Sequence, residues 1–237
     1  MRRNGRLLFE VMQEVCAAVK PGVTTKELDT LAQRRIEDKG ARPAFLGLYG
    51  FPATLCVSVN EQVVHGIPSP DCALEEGSIV SIDCGLELDG YMSDMARTMP
   101  VGRIRPELQR LLDVTRECLE LAIQTMRVGM RLGDLGRAVQ EHAEGNGFGV
   151  VRRYSGHGIG RLMHEAPEVF NFFDPQNNKR FQNGWVLAVE PMINMGVAET
   201  VELPDGWTVV TKDRLPSAHF EDTVAIVDGG PVILTRP

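Results

Sequence analysis

Lys20-Pro21-Gly22-Val23-Thr24-Thr25-Lys26-Glu27-Leu28 and Arg127-Val128-Gly129-Met130-Arg131-Leu132-Gly133-Asp134-Leu135 align without a gap. Each begins on a basic residue, carries Gly followed by an apolar residue, and closes on an acid and Leu. At the same offset Gly40 falls on Gly147, where the helix following each segment is expected to end. An apolar stripe of helical spacing precedes each copy. It comprises Leu7, Leu8, Val11, Val15 and Val19 in the first, and Leu108, Leu111, Leu112, Leu119, Ile123 and Met126 in the second. Thr24 with Glu27 reads as a capping box opening the second helix of the first copy. The chain is therefore read as duplicated, each half starting with two helices. Chance recurrence of a helix-Gly-helix pattern is the plain alternative; the ungapped register across both helices argues against it.

After each helix pair the pattern turns to short runs rich in Val, Ile and aromatics, bounded by Gly, Pro and Asp. In the first half these are Leu55 to Asn60, Ser78 to Asp83, and Glu87 to Thr98; in the second, Val150 to Tyr154, Trp185 to Asn194, Trp207 to Thr211, and His219 to Val227. Helices then strands, twice, without βαβ alternation, predict an α+β fold with a mainly antiparallel sheet covered on one face by helices. Two related halves leave a cleft between them, a natural place for a site. No low-complexity segment or long linker interrupts the chain. It is read as one domain over 1–237, with halves of about 1–105 and 106–237.

The apolar fraction of 43% and charged fraction of 24% are those of a globular protein. A net charge of −7 argues against nucleic acid as substrate, because phosphate binding needs a basic surface. No stretch approaches the roughly 20 apolar residues of a membrane span. Glu10, Gln13 and Glu14 interrupt the apolar residues near the N-terminus, so it does not read as a signal peptide. Cys16, Cys56, Cys72, Cys84 and Cys118 are odd in number and lack CxxC spacing. They read as reduced thiols of a cytoplasmic protein, without structural zinc or a disulfide framework.

Leu88-Asp89-Gly90-Tyr91 reads as a hairpin turn centred on Asp-Gly. In that register Leu88 pairs with Tyr91 and Asp83 with Ala96, so Asp94 lies on the face of Asp83, one diagonal step away. Diagonal neighbours are roughly 7–8 Å apart, or somewhat less. Two carboxylates so placed repel unless cations lie between them, and the spacing suits a metal pair roughly 3.5–4 Å apart. Taken alone, the hairpin is as well explained by an Asp at a strand end. His157 stands in Ser155-Gly156-His157-Gly158-Ile159-Gly160, read as a Gly-rich loop, with His164 further on. Glu190 ends an apolar run, and Glu221 is read inside a strand whose face also carries Thr223, Ala225 and Val227. Singly, each is more simply a turn histidine or a surface glutamate. Four carboxylates and a histidine in apolar or Gly-rich settings are costly together without a partner.

These residues carry a specific resemblance. Val64-His65-Gly66-Ile67-Pro68, Ile82-Asp83, Ser93-Asp94-Met95-Ala96-Arg97-Thr98, Gly156-His157-Gly158-Ile159-Gly160, Met163-His164-Glu165, Val189-Glu190-Pro191-Met192 and His219-Phe220-Glu221-Asp222-Thr223 follow one another as in the type I methionine aminopeptidases. That family has the pita-bread fold, with two pseudo-symmetric halves. The resemblance spans the chain from the first helix to Val227. It implies two divalent cations per chain: Asp83 on one, His157 and Glu190 on the other, Asp94 and Glu221 bridging. One nitrogen among oxygen ligands suits Mn²⁺, Fe²⁺ or Co²⁺, with Zn²⁺ also admitted. The implied reaction is hydrolysis of the first peptide bond of nascent polypeptides, in the cytoplasm and near the ribosome, by a monomer. Water made acidic by the cations attacks the first carbonyl. Glu190 takes the proton, His164 stabilises the oxyanion, and His65 contacts the leaving side.

The same resemblance assigns the methionine pocket to Phe45, Leu48, Phe51, Cys56, Met163 and Trp207. Phe45, Leu48 and Phe51 replace the Cys, Tyr and Tyr of familiar bacterial members, so the lining loses hydroxyls. Met95 stands where Thr is usual, which predicts a missing hydroxyl behind Asp94. Two rivals are weighed against this reading. A proline-specific peptidase of the same fold usually carries a large extra N-terminal domain, whereas Met1 to Lys20 leads directly into the first half. A non-catalytic scaffold typically loses metal ligands, and here all five residues are present.

Overall fold

The computed structural model describes residues 1–177 and 179–237. Helices α1 (Arg2–Ala17) and α2 (Thr25–Asp38) open the first half, α3 (Pro106–Thr125) and α4 (Leu132–Gly145) the second. The capping box at Thr24 forms: its hydroxyl accepts the Glu27 N–H at 3.2 Å, and the Glu27 carboxylate accepts the Thr24 N–H at 2.7 Å. At the matching place Asp134 accepts the Arg131 N–H at 2.9 Å. Gly40 and Gly147, both at positive φ, follow the ends of α2 and α4. Isolated bridges Thr24–Ala73 and Arg131–Arg180 recur at the same offset as the two aligned segments.

The first half adds β1 (Arg42–Pro43), β2 (Leu55–Val59), β3 (Gln62–Val64), β4 (Ile79–Leu88) and β5 (Tyr91–Pro100). The second adds β6 (Gly149–Val150), β7 (Gly156–Gly158), β8 (Glu165–Val169), β9 (Val186–Val189), β10 (Met192–Asn194), β11 (Thr200–Glu202), β12 (Val209–Thr211), β13 (Ser217–His219), β14 (Asp222–Val227) and β15 (Gly230–Ile233). Every ladder among the described residues is antiparallel, as expected for this α+β fold. The ladders fall into four sheets rather than one: β4 flanked by β1, β2 and β5; β13-β10-β6; β11-β12-β3; and β15-β14-β9-β7-β8.

Several predicted strands are divided, for local reasons. The run from Trp185 to Asn194 breaks at Glu190-Pro191, because Pro191 has no N–H to continue a ladder. The chain leaves β9 in one sheet and enters β10 in another. The run from His219 to Val227 breaks beside it at Phe220-Glu221, between β13 and β14. Glu221 is therefore at a sheet crossing rather than within a strand. The predicted strand from Val150 to Tyr154 is reduced to the two residues Gly149–Val150. Conversely, the segment read as a Gly-rich loop at His157 is strand β7, held between β8 and β9. A Cβ at Gly156 would meet the Ala188 carbonyl at 2.3 Å, and one at Gly158 the Ala166 carbonyl at 2.3 Å. The glycines serve close strand approach there.

Each helix pair covers its own core. Leu8, Val11, Met12, Val15, Leu28 and Ile36 pack on Val80, Ile82, Cys84 and Leu86. Leu111, Leu119, Leu135 and Val139 pack on Leu187, Val189, Ile193 and Val224. Between the cores runs a polar seam. Glu221 N–H donates to Ala96 O at 2.9 Å, and His219 N–H to the Thr98 hydroxyl at 2.8 Å. Arg97 donates to Ala96 O and Glu221 O, at 2.8 and 2.5 Å, and to Asp222 Oδ1 at 2.8 Å. Asp222 is fully buried and also pairs with Arg236 at 2.6 Å. Removing one partner of a buried pair typically costs about 3–5 kcal/mol. The Arg97 and Arg236 side chains stay 18% and 29% exposed, which puts this case at the lower end. Asp222→Ala is expected to lower urea-unfolding stability by ~3 kcal/mol; a loss near zero would show that the seam does not join the halves energetically.

Candidate functional site

The β4–β5 hairpin has the register read from its turn: Leu88 pairs with Tyr91, Asp83 with Ala96, and Gly85 with Asp94. Asp83 and Asp94 thus share a face. That face meets the crossing where Glu190 and Glu221 leave their sheets side by side, Phe220 N–H donating to Pro191 O at 3.4 Å. His157 enters from β7. Its Nδ1 lies 2.9 Å from the carbonyl of Gly158. Nδ1–H donating there leaves the Nε2 lone pair facing the acids. Nε2 lies 3.6 Å from Glu190 Oε1 and 3.8 Å from Asp94 Oδ2. One donor atom each from Asp94, His157 and Glu221 lie within 4.8 Å of one another. Asp83 Oδ1 and Glu221 Oε1 are buried without a hydrogen-bond partner among the described residues. Lone pairs of that kind, converging from several elements beside an imidazole nitrogen, fit divalent cations of the hard or borderline class.

These residues form the floor of a cavity of about 650 Å³. His65, His164, Phe45, Leu48, Phe51, Cys56 and Trp207 also line it. Met163 does not reach the wall; it is buried behind it, packed with Phe45, Phe51, Cys56 and Ile159. Phe51 and Trp207 meet edge to face, with centroids 5.1 Å apart. His65 stands with φ at 58°, a left-handed backbone that is strained for a residue with a Cβ and typical of functional positions. Its ring packs edge-on against Tyr154 and Trp207, at 5.5 and 6.4 Å. His164 lies between Tyr49, stacked at 5.8 Å, and His157, edge-on at 4.5 Å.

Met95 brings no hydroxyl to the Asp94 carboxylate, which accepts its backbone N–H at 3.0 Å. Its side chain points away, fully buried under the first helix pair. The Thr223 hydroxyl accepts the Asp94 N–H at 2.9 Å and donates to its carbonyl at 2.8 Å. Sequence reasoning passed over Tyr49 and Tyr154 on the cavity wall. It also passed over His219, whose buried Nε2 lies 3.5 Å from Glu190 Oε2, and Asn171, which donates to Glu190 O at 3.0 Å. A signal existed for His219, a histidine two residues before a candidate ligand. Tyr49 had none, because its left-handed backbone, φ 51°, is unusual outside glycine.

A family model described as metallopeptidase family M24 matches residues 1–228. The chain is 50% identical to a methionine aminopeptidase of Clostridium perfringens, an alignment covering 99% of this chain and 94% of that one. It is 45% identical to methionine aminopeptidase 1 of Bacillus subtilis, covering 100% and 95%. The crystal structure of methionine aminopeptidase from Rickettsia prowazekii matches with a TM-score of 0.97 at 40% identity, covering 100% and 95%. The prolidase of Pyrococcus furiosus shares the fold, with a TM-score of 0.81 at 22% identity, and the match covers 100% of this chain and 63% of that one.

Burial and mutual repulsion make every acid of the cluster reluctant to ionise. Burial pushes Asp94 up to about 7. Burial, then the charges of Asp94 and Glu190, push Asp83 well above its ordinary value, and Glu190 and Glu221 are raised for the same reasons. Burial lowers His65 and His157 to about 4 and His219 to about 3. The buried Cys56 thiol is pushed well up, so it is no thiolate nucleophile. Raised acids bind protons that the unfolded chain has released, so they lose stability as pH rises from about 4 through 7 and beyond. The lowered histidines oppose this, but only up to their ordinary 6.5, above which they are neutral in both states. Chelator-stripped protein is therefore expected to show a Tm that falls as pH rises above 6.5. Saturating Mn²⁺ should raise that Tm more at alkaline than at acid pH. A stripped protein whose Tm is flat over this range would contradict the account.

Proposed function

The chain belongs to metallopeptidase family M24 and has its pita-bread fold, and from that premise we propose that it is a methionyl aminopeptidase. It would hydrolyse the first peptide bond of peptides and nascent proteins that begin with methionine. The observation that carries this reading is the convergence of Asp83, Asp94, His157, Glu190 and Glu221 on the floor of a cavity whose wall includes the apolar side chains of Phe45, Leu48, Phe51, Cys56 and Trp207. The whole chain acts as one catalytic unit in this reading, each half supplying part of the floor. Two cations would be held, Asp83 serving one, His157 and Glu190 the other, and Asp94 and Glu221 both. Manganese, iron, cobalt and zinc all belong to the class that this donor set accepts. Divalent cations bound there supply Lewis acidity, which polarises the scissile carbonyl and lowers the pKa of nearby water.

The side chains do the rest. Glu190, whose carboxylate would stay beside the cations, takes up the proton of the attacking water and returns it to the departing amine. His164 and His65 are held neutral by burial and each offers one N–H. His164, beside His157, donates to the developing oxyanion; His65, beside Trp207, contacts the peptide beyond the cleaved bond. Phe45, Leu48, Phe51, Cys56 and Trp207 receive the first side chain, with Met163 backing them. Methionine is unbranched and adaptable and fills such a slot, whereas a charged side chain would be buried without a partner. In this reading the chain acts as a monomer on emerging polypeptides in the cytoplasm, near the ribosome; no described helix is long and apolar enough to cross a membrane.

Two measurements test this. Comparison of Met-Ala-Ser with Leu-Ala-Ser by kcat/KM is expected to favour methionine strongly, because the branch at leucine Cγ fits the slot poorly. Equal cleavage would reject methionine selectivity while leaving the hydrolytic chemistry intact. His164→Ala is expected to lower kcat by ~10²–10³ with metal content unchanged, the usual cost of losing one transition-state donor. Loss of metal in that variant would show that His164 is a ligand and that its role here is misassigned.

A further inference from the structure

The last residues lie beyond the segment that the family model matches, yet they return to the acid cluster from behind. Leu234 runs against α1 where Gly5 clears its path: a Cβ there would meet the Leu234 carbonyl oxygen at 2.2 Å. Thr235 follows, fully buried, and its one hydroxyl makes two hydrogen bonds. It accepts the Thr223 N–H at 3.1 Å and donates to Asp222 Oδ1 at 2.8 Å. Arg236 donates from Nε to Asp222 Oδ2 at 2.8 Å and pairs with Glu120 at 2.5 Å.

Both contacts lead to the site. Thr223 is the residue whose hydroxyl clasps the peptide of Asp94 from both sides. Asp222 follows Glu221 in the chain and holds Arg97, which donates to the Glu221 carbonyl. Thr235 thus stands two hydrogen bonds behind the backbone of Asp94, through Thr223, and one hydrogen bond from Asp222, the residue that follows Glu221. It makes no hydrogen bond to either of those carboxylates. Crowded acids repel, and they keep their convergence only as far as the backbone beneath them is fixed.

We propose that Thr235, supported by Arg236, is a positioning residue for Asp94 and Glu221, so that the C-terminal tail sets how tightly the cluster holds divalent cations. The proposal rests on the reading that these acids are cation ligands. It predicts that the hydroxyl matters, and not merely the packing of the tail.

The test compares full-length wild type, Thr235→Val, Thr235→Ser and Val139→Ala by calorimetric titration with Mn²⁺, under conditions where circular dichroism finds all four folded. Val139→Ala makes a cavity between α3 and α4 and reports what plain loss of stability does. Thr235→Val is expected to bind Mn²⁺ ~10-fold or more weakly, as for other residues that orient metal ligands. Thr235→Ser and Val139→Ala should stay close to wild type. Should Thr235→Val not fold, Arg236→Met cuts the same support at Asp222 and takes its place. Wild-type affinity in Thr235→Val, or an equal loss in Val139→Ala, would overturn the proposal. A wild type that binds no Mn²⁺ would refute the cation reading itself, and the proposal with it.

Discussion

Four carboxylates crowd around one imidazole at the place where two sheets of the second half exchange strands and the first half's hairpin docks. This arrangement is unfavourable on its own. Burial and repulsion raise the carboxyl pKa values, and oxygen atoms on Asp83 and Glu221 lack protein donors. The fold is built to hold the groups together against that repulsion. Pro191 ends β9 so that Glu190 turns into the cleft, and Glu221 sits at the adjacent crossing. Arg97 and Thr223 then tie the hairpin to that crossing through backbone atoms, leaving the carboxylates free to face a ligand.

The rest of the cavity follows from the same division of labour. Asp83, Asp94 and His157 come from within paired strands, and Glu190 and Glu221 from the crossing between two sheets. The apolar part of the wall comes from the segment between Phe45 and Cys56 and from Trp207. A substrate with a free amino end and an apolar first side chain can satisfy both regions at once, which is the physical basis of the methionine reading.

The sequence was most legible where structure is local. The Asp-Gly turn set the register that puts Asp83 and Asp94 on one face, and the gapless repeat located all four helices. The capping box at Thr24 could be read from two residues. What stayed hidden depends on contacts distant in the chain. Glycines around His157 suggested a loop because their reason, close approach to Ala166 and Ala188, belongs to neighbouring strands. An apolar run hid the sheet crossing at Glu190, although Pro191 marked it. Met163 was assigned to the pocket by resemblance, and its packing with Phe45, Phe51, Cys56 and Ile159 forms only when these distant segments meet. Thr235 gave no signal, since its partners are formed only when the tail folds back.

The central claim is that these five side chains exist to share divalent cations. Anomalous diffraction from crystals grown with Mn²⁺ examines it directly. The account predicts anomalous peaks enclosed by Asp83, Asp94, His157, Glu190 and Glu221, on the floor of the cavity. Peaks confined to exposed acids elsewhere, with this cluster vacant at saturating Mn²⁺, would contradict it.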